Sequence, residues 1–212
     1  LIIGITGYGH VGSGALEILK LLNPVEISPE DLLHFANSQK FSDRSVYICI
    51  FKECHLVKPE HGNIFELKDY YNNPHRYTND FEKYIDKITI LINSMYWDQR
   101  YPKLITIDYL KTNFSSAHKL KIIGDITCDP KGSVECTLEC TTIEEPVYIY
   151  NPADDTKTTG FFGSGLCIMA VDILPSELPR ESSEGFSEIL VPYLPYIVTC
   201  DYTADYESLS LP

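Results

Sequence analysis

The sequence predicts an α/β fold, a doubly wound and mostly parallel sheet with helices on both faces, and three observations carry that expectation. Leu1 to Thr6 is an apolar, β-branched run that leads directly into Gly7-Tyr8-Gly9-His10-Val11-Gly12 and then into a helical pattern. Strand-like and helix-like segments go on alternating to about residue 126, as parallel strands joined by crossover helices do. With 212 residues, 44% of them hydrophobic, the chain carries enough apolar material for a sizeable core.

After the first strand, Ala15, Leu16, Ile18, Leu19 and Leu22 recur at helical spacing, and Asn23-Pro24 stops the helix. Val25-Glu26-Ile27 reads as a short second strand. Ser28-Pro29-Glu30-Asp31 is a helix start, with a capping hydroxyl, Pro at the first helical position and acids in the first turn; that helix is expected to run through Leu32, Leu33 and Phe35. Val46 to Phe51 and Ile88 to Asn93 are the third and fourth strands, separated by a Tyr-rich, mostly helical stretch. Leu104 to Phe114 reads as a helix, and Lys121 to Ile126 as a fifth strand running into the Asp-Pro-Lys-Gly turn at 129 to 132. From about Ile143 the pattern changes: Pro146 to Tyr150, a polar Asp-Asp-Thr-Lys loop, and Leu166 to Val171 suggest further strands at the sheet edge. Pro175 and Pro179 bracket a turn, Glu184 to Val198 has helical spacing interrupted by Pro192 and Pro195, and the last ten residues read as a frayed tail. The expected division is a dinucleotide-binding domain over 1–175 and a C-terminal helix and tail over 176–212.

The formal net charge of -13 repels polyphosphate backbones and anionic membrane surfaces, which argues against nucleic acid as a partner. No run of about eighteen apolar residues exists to span a membrane. The first residues lack the basic segment and cleavage site of a signal peptide. A chain that starts inside a strand is expected to be a piece of a longer one. Seven cysteines, an odd number with several in apolar stretches, point to buried thiols in a reducing compartment, without disulfides. Cys136 and Cys140 with Cys54 and His55 lack the paired spacing of a zinc site, so no metal is expected.

The chemistry centres on the glycine turn. Gly7 permits the tight turn, Gly9 lets a pyrophosphate approach the backbone, and Gly12 allows helix and strand to pack closely, which makes the segment a Rossmann-like dinucleotide fingerprint. His10 and Val11 would lie with these glycines at the helix N-terminus, under the phosphates. Glu26, 19 residues after Gly7, ends the second strand where an acid commonly accepts from the adenosine ribose; no Arg or Lys stands between Lys20 and Lys40, which argues for NAD. Ligands in open α/β sheets bind beyond the carboxyl ends of the strands, which adds Phe51, Asn93 and Asp125. A carboxylate closing an apolar strand, as Asp125 does, is either functional or the cap of the following turn.

Several segments in order carry a resemblance: Gly7 to Leu19, Tyr71 to Tyr77 with Pro74 and Arg76, Leu91-Ile92-Asn93 with Tyr96-Trp97, Asp125-Ile126 with Gly132-Ser133-Val134-Glu135, Glu139 to Glu144, Gly163-Ser164-Gly165, Val171 to Pro175, and Leu178 to Glu181. Together they resemble the lysine-ketoglutarate reductase half of the aminoadipic semialdehyde synthases and, more distantly, the fungal lysine-forming saccharopine dehydrogenases. The resemblance implies reductive condensation of L-lysine with 2-oxoglutarate to saccharopine, in the cytoplasm or the mitochondrial matrix, and it leaves open whether a saccharopine dehydrogenase is fused downstream. It implies that the Leu174-Pro175 turn, Asn93 and Asp125 lie around the nicotinamide. The proton-transferring Lys and His of such enzymes belong to a domain preceding the glycine strand, so no catalytic residue is assigned here and the chain alone is expected to turn over little. It also implies NADPH, against the NAD indicated by Glu26. The balance falls narrowly to NADPH, with the missing domain or a base distant in sequence meeting the 2′-phosphate. A non-catalytic nucleotide-binding module and an alanine dehydrogenase-like enzyme are the alternatives.

Overall fold

A computed structural model describes residues 1–34, 42–62, 64–115, 118–205, 207 and 209. Phe35 and part of the C-terminal tail read above lie outside the described residues. The chain divides into two compact units, Leu1–Asp172 and Ile173–Pro212.

The first unit is built on an eight-stranded sheet. Its strands are β1 (Ile2–Thr6), β2 (Val25–Glu26), β3 (Tyr47–Phe51), β6 (Ile90–Asn93), β7 (Ile122–Asp125), β8 (Val147–Asn151), β9 (Thr156–Thr159) and β10 (Leu166–Met169), in the order β2-β3-β1-β6-β7-β10-β8-β9. Every pairing from β2 to β10 is parallel, and β8 and β9 add an antiparallel edge. Part of the polar Asp-Asp-Thr-Lys segment thus becomes β9, because Asp155 takes a left-handed conformation (φ 58°) that turns the chain back on β8.

In the doubly wound order the second strand flanks the first. Here β3 takes that place and β2 lies outside it. The reason is physical: β3 is five residues long, and Tyr47, Ile48, Cys49 and Phe51 are buried, whereas β2 is two residues long and both are exposed. A short polar strand belongs at an edge.

The two faces of the sheet are covered unequally. On one, Ile3, Ile5 and Ile48 pack with Leu16 and Leu19 of α1 (His10–Leu19). On the other, Ile2, Cys49, Phe51, Leu91 and Ile123 belong to the main core. That layer is supplied by α2 (Pro29–Leu33), α3 (Glu53–Leu56), α4 (Leu67–Asn72), α5 (Glu82–Ile85) and α6 (Ile107–Asn113). Alternation along each strand sorts these residues to opposite faces. Phe51 anchors an aromatic cluster, with Phe81 at 5.0 Å edge-on and Tyr84 at 4.9 Å.

The Tyr-rich stretch is less helical than its composition predicts. Between its short helices, β4 (Val57–Pro59) pairs antiparallel with β5 (Tyr77–Asn79) in a separate two-stranded sheet, a pairing that no local periodicity encodes. The helix expected from Leu104 begins later. Leu104 and Ile105 are buried, Ile105 bridges Val134, and the Thr106 hydroxyl accepts from the Tyr109 N–H at 3.1 Å to start α6. Ser28 caps α2 in the same way, its Oγ accepting from the Asp31 N–H at 3.0 Å. Ser28→Ala is expected to cost about 1 kcal/mol in chemical denaturation; an unchanged midpoint would show that this cap contributes nothing.

The second unit begins at Ile173, in a left-handed conformation (φ 56°), followed by a 3-10 turn at Leu174–Glu177. α7 (Pro179–Leu190) and α8 (Leu194–Thr199) are joined by a 3-10 turn at Val191–Tyr193. Pro179, Pro192 and Pro195 each sit in a first helical turn, where the missing N–H has no partner to lose. The two later prolines therefore segment the helical run without ending it.

Candidate dinucleotide site

The site begins where β1 ends. Gly7 has φ +90°, a conformation that L side chains rarely adopt, and its N–H donates to the Phe51 carbonyl at 3.3 Å. Ser94, just past β6, ties the turn from the other side: its N–H donates to the Thr6 carbonyl at 3.1 Å and its hydroxyl donates to the same oxygen at 2.7 Å. A Cβ on Gly12 would stand 2.4 Å from the Gly7 carbonyl oxygen, so only glycine lets α1 lie this close to the turn. Gly9 differs from both. A Cβ there would meet nothing within 4 Å, so nothing in the chain requires glycine at that position. Space is kept open at the second glycine, where a pyrophosphate would approach.

Gly9 is also the N-cap residue of α1, and it supplies no side-chain cap; the first turn holds no acid, and His10 and Val11 are exposed. The first amides of the helix are thus left to whatever lies over the turn. This cradle fits an anionic dinucleotide in a chain whose net charge would otherwise repel one.

Two clefts flank the turn and share Tyr8. The first, of about 410 Å³, runs over the ends of β3, β1 and β6, and its lining includes Gly7, Gly9, Phe51, Glu53, Tyr71 and Met95. Glu53 accepts from the Tyr71 hydroxyl at 2.7 Å and from the Tyr8 hydroxyl at 3.1 Å. The Glu53 charge raises the Tyr8 phenol above its ordinary range, with partial burial adding to it. Burial, then the hydrogen bond to Glu53, does the same at Tyr71. The second cleft, of about 690 Å³, lies towards β2 and is lined by Glu26, Ser28, Glu30, Lys52 and His55 among others.

Beneath the first cleft, strand register places Thr6, Asn93 and Asp125 side by side on neighbouring strands. All three are buried. The Thr6 hydroxyl donates to Asn93 Oδ1 at 2.7 Å, and Asn93 Nδ2 donates to Asp125 Oδ1 at 2.8 Å and to Ser133 Oγ at 2.9 Å. The Thr137 hydroxyl donates to Asp125 Oδ2 at 2.5 Å. Burial raises the Asp125 carboxyl above its usual range, outweighing donation from Thr137, Asn93 and the Cys128 backbone N–H.

The structure therefore brings Gly7, Gly9 and Phe51 to one cleft, Glu26 to the other, and Asn93 and Asp125 into a satisfied network below. Leu174 and Pro175 belong to the second unit, where the Pro175 carbonyl accepts from the Leu178 N–H at 3.3 Å and the Ser182 hydroxyl at 2.9 Å. Reading the sequence missed Tyr8, Lys52, Glu53, Tyr71 and Ser94. Three of these, Lys52 and Glu53 after β3 and Ser94 after β6, follow a strand end and were findable by their position, but only the strand order says that β3 and β6 flank β1. Among the described residues, no group of three or more His, Cys, Asp or Glu side chains could hold a metal ion.

A glycine turn of this geometry at the mouth of a helix, on a mostly parallel sheet with helices on both faces, defines a Rossmann-like α/β domain. The chain is homologous, over nearly its whole length, to a segment of the alpha-aminoadipic semialdehyde synthases. It is 34% identical over 201 residues to that of Arabidopsis thaliana, covering 90% of this chain and 19% of the relative. It is 32% identical over a 218-residue alignment to the Bos taurus enzyme, named mitochondrial, covering 96% and 23%. The saccharopine dehydrogenase [NAD(+), L-lysine-forming] of Emericella nidulans is 31% identical over 117 residues, covering 54% and 29%. The chain thus spans about a fifth of the length of the synthases it matches. No family model matches it. A solved L-alanine dehydrogenase is similar at a TM-score of 0.49 and 16% identity, over 93% of this chain and 43% of that one, too slight a likeness to bear on fold or function.

Proposed function

We propose that this chain is the nicotinamide-dinucleotide-binding part of an oxidoreductase of lysine metabolism that condenses L-lysine with 2-oxoglutarate to saccharopine. The observation that carries the reading is the glycine turn, where two glycines are required by the chain's own packing and the third faces open space. The names of the homologues support a nicotinamide cofactor and a lysine-linked reaction. The dinucleotide supplies the hydride when bound. The residues of this chain hold and orient it: the Gly7–Gly12 turn and the first amides of α1 take the pyrophosphate, and Phe51 with Met95 floors the cleft. The polar row of Thr6, Asn93 and Asp125 positions the strand ends by locking three strands in one register. Proton transfer is assigned to portions of the longer protein, so the chain alone binds cofactor and turns over little.

Calorimetric titration of the chain with NADPH and with NADH tests this, with Gly9→Val as the decisive variant. Gly9 has φ -73° and ψ -165°, which valine also adopts, so the variant is expected to fold, losing about 1 kcal/mol in urea denaturation because valine is a poorer N-cap than glycine. Its side chain fills the phosphate approach, and dinucleotide affinity is expected to fall roughly 100-fold, equivalent to about 2.7 kcal/mol. Undiminished binding in a folded Gly9→Val chain would sink the reading. Restoring the flanking sequence and following NADPH oxidation with lysine and 2-oxoglutarate tests the reaction itself; turnover with pyruvate and ammonium instead would place the enzyme in another class.

A further inference from the structure

We propose that Lys52 is the residue that selects the phosphorylated dinucleotide, its ammonium pairing with the 2′-phosphate on the adenosine ribose in the cleft between the glycine turn and β2. The proposal rests on the dinucleotide reading above and settles which cofactor that site takes. It starts from the sheet order. In this fold the adenosine ribose lies over the end of the strand that flanks β1 on the side of the first mononucleotide-binding half, away from β6 and β7. That strand is β3, and Lys52 is the first residue past its end. Glu26 ends β2, one strand further out, and neighbouring strands are about 4.8 Å apart. The carboxylate that sequence spacing suggests for the ribose is thus displaced outward, and a cation stands nearer to where the ribose falls.

Local contacts agree. The Lys52 ammonium sits 5.7 Å from the centroid of the Tyr8 ring, which places it beside the second residue of the glycine turn. Lys52 is exposed, and among the described residues it takes part in no ion pair, whereas Lys58, Lys83, Lys103, Lys111 and Lys157 are each matched to a carboxylate. Glu53, the other charge at the end of β3, is turned to the first cleft and engaged by two tyrosine hydroxyls. Glu26 and Glu30 line the same cleft as Lys52. The His55 Nδ1 is occupied as acceptor of the Lys52 N–H at 3.0 Å and its Nε2 lies 3.8 Å from Glu30, with burial lowering the imidazole from its ordinary range against the pull of Glu30, so the ring is turned to its own neighbours. Lys52 is the charge that makes this cleft tolerable to a dianionic phosphate. Without it, two carboxylates would face the phosphate alone.

The test is calorimetric titration of the 212-residue chain and of K52A, K52M and K52R with NADPH and NADH at low and high salt. The parent is expected to prefer NADPH. K52A and K52M should each lose roughly 10- to 100-fold in NADPH affinity, as removal of a charge-assisted hydrogen bond does, with NADH binding unchanged. K52R should keep the preference, and raising the salt should narrow the gap between the two cofactors. K20A, at the exposed far end of α1, controls for a general change of charge and should alter neither affinity. Equal losses for the two cofactors in K52A, or a parent that prefers NADH, would overturn the role of Lys52 and leave the dinucleotide site standing. Binding of neither cofactor to the parent would overturn both.

Discussion

Asp125→Ala is expected to lower the unfolding free energy by about 3 kcal/mol, because three buried donors lose their acceptor and each such donor costs about 1–3 kcal/mol, partly offset by no longer burying a carboxylate. The donors are Asn93 Nδ2, the Thr137 hydroxyl and the Cys128 backbone N–H. Asp125→Asn should cost roughly half as much, since its oxygen can still accept from Asn93 and the Thr137 hydroxyl can rotate to accept from the new amide. Urea denaturation reads both variants; a loss below about 1 kcal/mol for the alanine would mean that the row does not hold the strands together. A pH dependence follows from the raised carboxyl. A group whose folded pKa lies above its unfolded value, about 3.9 for Asp, contributes fully below that value and loses the contribution as pH rises through the folded pKa. The margin of the parent over Asp125→Asn should therefore be widest under acidic conditions and shrink as the pH climbs. A margin that widens with pH would mean that donation from Thr137 and Asn93 outweighs burial.

Gly12→Ala is expected to damage both folding and binding. Its Cβ would stand 2.4 Å from the Gly7 carbonyl oxygen and 3.0 Å from the Ser94 hydroxyl, and the first of these is backbone that cannot swing aside. Helix α1 must lift from the turn, which costs about 3 kcal/mol by the measure of overpacked cores and spoils the cradle for a phosphate. Gly14→Ala, two residues along the same helix, is predicted to go the other way. Nothing lies within 4 Å of its Cβ, so the helical preference for alanine should raise stability by about 0.8 kcal/mol. Thermal unfolding of the two variants gives opposite signs if the close approach at Gly12 is what fixes the turn. Equal and small shifts would mean that helix and strand have slack between them.

The same comparison separates what was legible in the chain from what was not. The glycine turn, the apolar runs of β1, β3, β6 and β7, and the Ser28 start of α2 are local signals. Each depends on residues within a few positions of one another, so a linear reading reaches them. Asp125 stood out because a carboxylate closing an apolar strand needs a partner. Its partners Asn93 and Thr137 lie 32 and 12 positions away and meet it only through strand register and a returning loop.

The sequence by itself determined the α/β class, the glycine turn at the head of α1 and the set of strand ends at which a ligand could sit. Tertiary structure alone decided which ends are neighbours. It set β3 rather than β2 beside β1, moved Glu26 outward, brought Lys52 and Glu53 to the turn, and sank Asn93 and Asp125 beneath the cleft. The physical reason is that pairing order minimises exposed apolar surface over the whole sheet, drawing the long buried β3 inward and leaving the two-residue β2 at the edge. That competition among strands far apart in sequence leaves no mark in the spacing of residues along any one of them.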